Sequence, residues 1–330
     1  MGIELANYAQ SPSASRMPLF CANPRVSSKV IISFMVTSLF VFTRIISNPL
    51  SNVFQKKLTG NSARPVFIIL VTYILLSLAM LPILFQLLPV QLGSSFFMNM
   101  FLCVLLAIVG NTLIVTALRL TDLSILGPIN AYKSVVSLLL GIFILGEIPT
   151  LMGVAGIFLI LVGSFFFIDR GSTQKDKRAI VQIFKDRGVQ FRLAALLFSA
   201  TEAIFLKKAL LLSTPLVTFT YWCILGALIA MIFGVFLLKA GIKNDIGTFK
   251  QRTSTYLMLA VTTGLMQLST LYAFGVLQVG YSLALFQTSA LLSVVFGYKF
   301  FREKNVVRRL VGASIMVIGA IFIVAFGKSS

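Results

Sequence analysis

The chain has 330 residues, of which 58% are hydrophobic and only 11% charged, against about 25% charged in a soluble domain. With 30 Phe and a mean hydropathy of +0.98, it reads as a polytopic membrane protein and not as a soluble globule. The net charge of +19 comes with no His and three scattered Cys (Cys21, Cys103, Cys223), which removes the commonest general base and speaks against a zinc or disulfide framework.

In chain order, residues 1–29 are polar and Ser/Pro-rich and are expected to be a disordered tail. They lack the apolar core of a signal peptide and the signature of myristoylation. A spanning helix needs about 20 mostly apolar residues. Ten segments meet this: 30–54, 66–88, 96–118, 124–146, 150–168, 191–212, 215–238, 255–277, 280–301 and 307–326. Helices eight and nine are so close that a sharp turn is expected at Gly280. The ten divide into a first five-helix repeat (30–168), a basic linker loop (169–190) and a second repeat (191–326), followed by a short tail (327–330). In the linker, Ile180, Val181, Ile183 and Phe184 sit among Lys175, Lys177, Arg178, Lys185 and Arg187. That pattern fits a short helix on an anionic lipid surface and, equally, a solvated basic loop.

A shift of 156 residues aligns 111–166 with 267–322 without a gap. Ala117 falls on Ala273, Ser137 on Ser293, Gly141 on Gly297 and Glu147 on Glu303. Gly156 falls on Gly312, Gly163 on Gly319 and Phe166 on Phe322. Val53-Phe54-Gln55-Lys56-Lys57 likewise resembles Ile204-Phe205-Leu206-Lys207-Lys208. Five spans per repeat is an odd number, so the second half is expected upside down, with a binding site near the midplane. The fold class expected is an all-α membrane protein of two inverted five-helix repeats around a central cavity. Gly156 with Gly163, and Gly312 with Gly319, are seven apart and read as packing residues.

Most of the positive charge is an orientation signal. The side holding both termini carries Arg16, Arg25, Lys29, Lys207, Lys208 and Lys328. The other carries Lys56, Lys57, Arg64, Arg119, seven residues from Arg170 to Arg192, four from Lys239 to Arg252 and five from Lys299 to Arg309. The positive-inside rule then puts both termini outside the cytoplasm. A nucleic-acid partner is not needed to explain the charge.

Polar residues inside spans are costly and usually face a cavity. Helix one carries Arg44, Asn48, Asn52 and Gln55 on one face, with Pro49 among them as a kink or hinge. Asn111 on helix three, Asn130 and Lys133 on helix four, Gln267 on helix eight and Gln287 on helix nine extend the set. Glu202 on helix six is the acid clearly within a span. It reads as a site residue, a proton carrier, or the partner of Arg44 or Lys133 in a structural ion pair. Tyr221 and Trp222 are candidates for a cavity wall, with an interfacial aromatic belt as the alternative. Thr112, Thr116, Thr201 and similar hydroxyls have their own i−4 carbonyls as alternative partners. Glu147 and Glu303 are expected to cap the helices that follow them. Helices five and ten are expected to be peripheral or packing elements.

The stretch Gly127-Pro128, Leu145-Gly146-Glu147, Gly153, Gly156, Gly163 resembles helices four and five of the EamA-type drug/metabolite transporters. Residues 281–324 resemble a second copy, with Phe301-Arg302-Glu303 for Leu-Gly-Glu and Ala284 where the first copy has Pro128. The resemblance implies a central cavity lined by helices one, three, four, six, eight and nine. Arg44 and Lys133 against Glu202 make that cavity net positive. The expected function is a secondary transporter, not an enzyme, that moves a small polar metabolite by alternating access. Its substrate would carry an anionic or zwitterionic group, as in an amino acid, an organic acid or a nucleoside-type cofactor. An exporter of drugs or toxic amphipathic compounds is the alternative. A non-transporting scaffold or lipid-modifying protein is the alternative of another class. No cofactor is expected. The partners expected are the substrate and the bilayer of the cell (inner) membrane, with the chain as monomer or homodimer.

Overall fold

The computed structural model describes residues 24–60, 63–87, 91–133, 135–136, 150–164, 166, 185–238, 242–277 and 279–326. The chain forms two units, Met1–Val36 and Thr37–Ser330. In the first, the described residues are the opening turns of helix α1. The second carries everything discussed below. Most of the 169–190 linker, residues 137–149 with Glu147, and the C-terminal tail lie outside the described residues.

Twelve helices are described: α1 (Pro24–Gly60), α2 (Pro65–Leu87), α3 (Ser94–Leu120), α4 (Leu123–Ile129), α5 (Leu151–Ser164), α6 (Arg187–Leu211), α7 (Pro215–Leu237), α8 (Ile242–Gln251), α9 (Thr253–Val276), α10 (Val279–Gln287), α11 (Ser289–Phe301) and α12 (Val306–Phe326). Six of them, α2, α3, α6, α7, α9 and α12, are long and apolar enough to cross a membrane. Their starts follow local chemistry. Asp186 caps α6 by accepting from Val189 N at 2.9 Å, and Thr214 caps α7 ahead of Pro215 at the first helical position.

Four sequence expectations are corrected. The segment expected as one helix over 124–146 breaks at Asn130–Ala131, where Asn130 N, Ala131 N and Lys133 N bond three residues back instead of four. Pro128 contributes, because it has no N–H for the ladder. The segment 280–301 breaks at Thr288, again on three-residue bonds, and here the Thr288 hydroxyl donates to Leu285 O at 2.7 Å. Gly280 lies inside α10, which begins at Val279, and so is not the turn after α9. Finally, residues left between the helices expected at 215–238 and 255–277 form α8, fastened by a salt bridge from Arg64 to buried Asp245 at 2.5 Å. In addition, α1 begins at Pro24 and α6 at Arg187, each ahead of the expected start.

Helices pair across the two halves: α2 with α7, α3 with α6, α4 with α11, and α5 with α12. The α5–α12 contact is as close as backbones allow. A Cβ added to Gly156 would stand 2.6 Å from Gly319 O, and one added to Gly163 would stand 2.7 Å from Gly312 O. All four glycines are therefore packing residues, and α5 and α12 do not reach the cavity described next.

Candidate functional site

A cavity of about 120 Å³ lies among the helices. Helix α1 lines it with Arg44, Asn48, Ser51, Asn52 and Gln55, which recur every three or four residues and so share one face. Asn111 comes from α3, and Asn130 and Lys133 from the break after α4. Arg192, Ser199 and Glu202 come from α6, Thr263, Gln267 and Thr270 from α9, and Phe286 and Gln287 from α10. Two helices join the six expected: α2 supplies Thr72 and Tyr73, and α7 supplies Trp222. Ten of the eleven residues singled out in the sequence line this cavity, all except Tyr221.

Tyr221 is turned elsewhere. Its ring stands edge-on to Phe96 and Phe97, each at 5.6 Å. Trp222 is about 100° further round the helix. It is buried on the cavity wall beside the Tyr73 ring at 4.7 Å.

One cavity residue is misread from sequence: Arg192, which the charge count groups with the basic residues from Arg170 onward. It is 6% exposed, lines the cavity, and donates from Nη2 to Asn130 Oδ1 at 3.1 Å. The misreading has a cause, because Arg192 directly follows a basic run. The available signal was Phe191 and the apolar stretch that starts with it.

The two helix breaks meet at the site. Asn130 ends α4 and donates from Nδ2 to Gln287 Oε1, at the end of α10, at 3.2 Å. The same side chain thus accepts from Arg192 and donates to Gln287. Elsewhere on the wall, Asn48 donates to Ser289 Oγ at 3.2 Å, and Ser51 and Thr263 hydroxyls are 3.0 Å apart. Arg44 Nε donates to Thr270 Oγ1 at 2.8 Å, and its guanidinium lies 4.9 Å from the centre of the Phe286 ring. As expected for span hydroxyls, Thr112, Thr116 and Thr201 bond carbonyls four residues back.

The wall carries Arg44, Lys133 and Arg192 against one acid, Glu202. Glu202 feels Lys133 and Arg44 electrostatically. Among the described residues neither closes to an ion pair with it within 4 Å. The structural ion pair considered from sequence is therefore not formed.

Several cavity groups also have buried polar atoms without a partner. These are Arg44 Nη1, Arg192 Nε, Tyr73 Oη, Trp222 Nε1, Gln267 Nε2 and Gln55 Oε1. Five of these six carry a proton to donate. Buried polar groups are normally satisfied, and these six belong to residues of the cavity wall. No group of three His, Cys, Asp or Glu residues is placed to hold a metal among the described residues.

Away from the cavity, Glu303 departs from expectation. It does not cap the helix that follows. Its two carboxylate oxygens accept from Leu123 N and Ser124 N, each at 2.9 Å, and so cap α4. Lys56 Nζ donates to Glu303 Oε1 at 3.0 Å. Burial pushes the Glu303 carboxyl up, but the hydrogen bonds from Ser124 and the Lys56 charge outweigh it and leave it below the ordinary carboxylate value.

The family model described as EamA-like transporter family matches residues 30–168 and again residues 186–325. Among solved structures, 26 chains match. One of them, a crystal structure, superposes with a TM-score of 0.54 at 12% identity, covering 87% of this chain and 96% of its own. At that identity the likeness shows the fold alone. No curated protein matches.

Proposed function

The chain belongs to the EamA-like transporter family, in the drug/metabolite transporter superfamily, and we propose that it carries a small polar metabolite with an anionic group by alternating access. It is an integral, multi-pass membrane protein and a transporter. The observation that carries the substrate reading is the charge of the cavity. Three cations face one acid, and the unpartnered polar atoms are mostly donors. A carboxylate or phosphate supplies acceptors and negative charge together, and arginine pairs with either in a fixed fork. A purely cationic molecule would leave the donors unsatisfied and meet net repulsion. Glu202, free of a contact ion pair, offers a place for an ammonium if the substrate is a zwitterion.

The architecture we infer is ten spans in two inverted repeats. In this reading α4 with the segment after its break is one span, and α10 with α11 is another. Support comes from the pairing of α2 with α7, α4 with α11 and α5 with α12, each a helix and its counterpart in the other half. Broken spans facing each other at mid-membrane are a recurrent way to build transporter sites. The charge bias supports a basic side that faces the cytoplasm, with the cell (inner) membrane as the proposed location.

The test is a thermal-shift screen of purified protein against anionic, zwitterionic, cationic and neutral metabolites. A bound ligand raises the melting temperature by mass action. Hits are expected among the anions and zwitterions and are expected to be lost in Arg192→Ala. Uptake of a hit into proteoliposomes then establishes transport. Hits confined to cations would overturn the substrate reading.

A further inference from the structure

The Glu303 cluster lies at the N-terminal end of α4, the end opposite the cavity residue Asn130. Lys56 meets Glu303 at 3.0 Å and Asp122 at 3.7 Å. Arg309 meets Asp122 at 3.2 Å and Glu303 at 3.5 Å, and its Nη1 also donates to Ser124 Oγ. Lys56, Asp122 and Ser124 belong to the first family repeat, and Glu303 and Arg309 to the second. The Lys56–Asp122 and Arg309–Glu303 contacts each lie within one repeat, and the Lys56–Glu303, Arg309–Asp122 and Arg309–Ser124 contacts join one repeat to the other.

Next to the cavity, Leu118, Leu123, Leu126 and Gly127 surround a narrow space together with Asn52, Ile114 and Arg192. The last two of these three also stand on the cavity wall, as does Asn52. That space leaves no room for a water molecule. Leu123 is at once part of this lining and the residue whose N–H Glu303 caps. There is no slack behind it: a Cβ on Gly127 would collide with Ser293, and one on Gly297 with Glu303.

We propose that Lys56, Asp122, Glu303 and Arg309 form an ionic gate that holds the cavity shut on the side bearing Glu303, with α4 as the moving part. The gate rests on the chain being a transporter and not on which substrate it carries. Ion pairs suit the task. Glu303 and Arg309 are buried, so their attraction is largely offset by lost hydration. On opening, water replaces each partner, so the closed state is favoured only modestly and can be left. An apolar seal of the same area lacks that compensation. Because Glu303 caps one end of α4 and Asn130 ends the other, releasing the gate also shifts a cavity wall residue. Glu303 is thereby a positioning residue for Asn130.

The test needs no substrate. Leu126→Cys is introduced with Cys21, Cys103 and Cys223 replaced by alanine, and vesicles of both orientations are treated with a membrane-impermeant thiol reagent. Labelling is expected to be slow in this parent. Adding Glu303→Gln should speed it roughly tenfold, the population shift expected from losing a charge-assisted contact, and only from the side bearing Glu303. Lys56→Met, which leaves the cap on α4 in place, should do the same more weakly and serves if Glu303→Gln does not fold. Unchanged labelling in a folded variant, even with a lower melting temperature, overturns the gate. So does faster labelling from the opposite side. A failed metabolite screen alongside accelerated labelling would count against the substrate reading alone.

Discussion

Asn130 accepts a hydrogen bond from Arg192 Nη2 at 3.1 Å, and this one contact ties the helix break after α4 in the first repeat to α6, which opens the second. Asn130 also holds Gln287 at 3.2 Å, so it joins both helix breaks to a cavity cation. The Arg192 Nε beside it has no protein partner. The pair is thus half satisfied, which fits a residue held in position for a ligand.

Replacing Arg192 by Ala is expected to weaken binding of an anionic hit by at least about tenfold, since charge-assisted hydrogen bonds are worth roughly 1.5–3 kcal/mol. Arg192→Lys should recover little, because a lysine cannot reproduce the fork. Titration of the melting temperature with ligand measures both. Equal affinity in wild type and Arg192→Ala would remove Arg192 from the site.

Tyr221 supplies the matched control. Tyr221→Ala should lower stability by about 0.5–1.5 kcal/mol or more through its lost contacts with Phe96 and Phe97. Ligand affinity should stay as in wild type. Trp222→Phe, one position along, should change affinity instead, because its ring is on the wall. Equal effects of both on binding would show that the assignment of the two aromatics is wrong.

Glu202→Gln separates anion from zwitterion. The cavity has three cations to one acid, and the substitution removes the acid. A pure anion should then bind more tightly. A zwitterion should bind less tightly, by roughly tenfold, as its ammonium loses a charged partner. Calorimetry on one ligand of each kind reads the sign directly.

Glu303 gives the protein an acid limit. Its folded-state value lies below the ordinary 4.5, so folding favours the ionised form. The resulting stability is fully present above 4.5 and is lost as pH falls through the depressed folded value. The charges that face it are Lys56 from α1, Arg309 from α12 and, across the cluster, Asp122. The melting temperature of wild type should fall toward that of Glu303→Gln as the pH is lowered through this window. A constant gap between them at every pH would contradict the assignment.

At the α5–α12 crossing, Gly319→Val should destabilise by about 1–3 kcal/mol or more, since the new side chain meets backbone and not a flexible tip. Gly93 and Gly247 have open space around them, and alanine there should leave the melting temperature nearly unchanged. Thermal unfolding in detergent compares the three.

The amino-acid sequence by itself determined the membrane class, the two repeats and most of the cavity wall. These are written locally: apolar runs of spanning length, polar side chains at helical spacing, and isolated charges such as Arg44 and Lys133 that lie too deep to be loop residues. Tertiary structure alone decided the rest, because it depends on which helix stands opposite. Arg192 looks like the end of a basic loop until α6 is packed beside Asn130. Tyr221 and Trp222 are neighbours in sequence, but only packing chooses which of them faces the cavity. The second break has no proline to announce it, and it rests on a threonine hydroxyl and bonds three residues back. Glu303 finds its hydrogen-bond donors about 180 residues away, in a helix that no local spacing could name. A carboxylate is drawn to whichever exposed backbone N–H groups the fold brings within reach, and the fold is what the local pattern leaves unsaid.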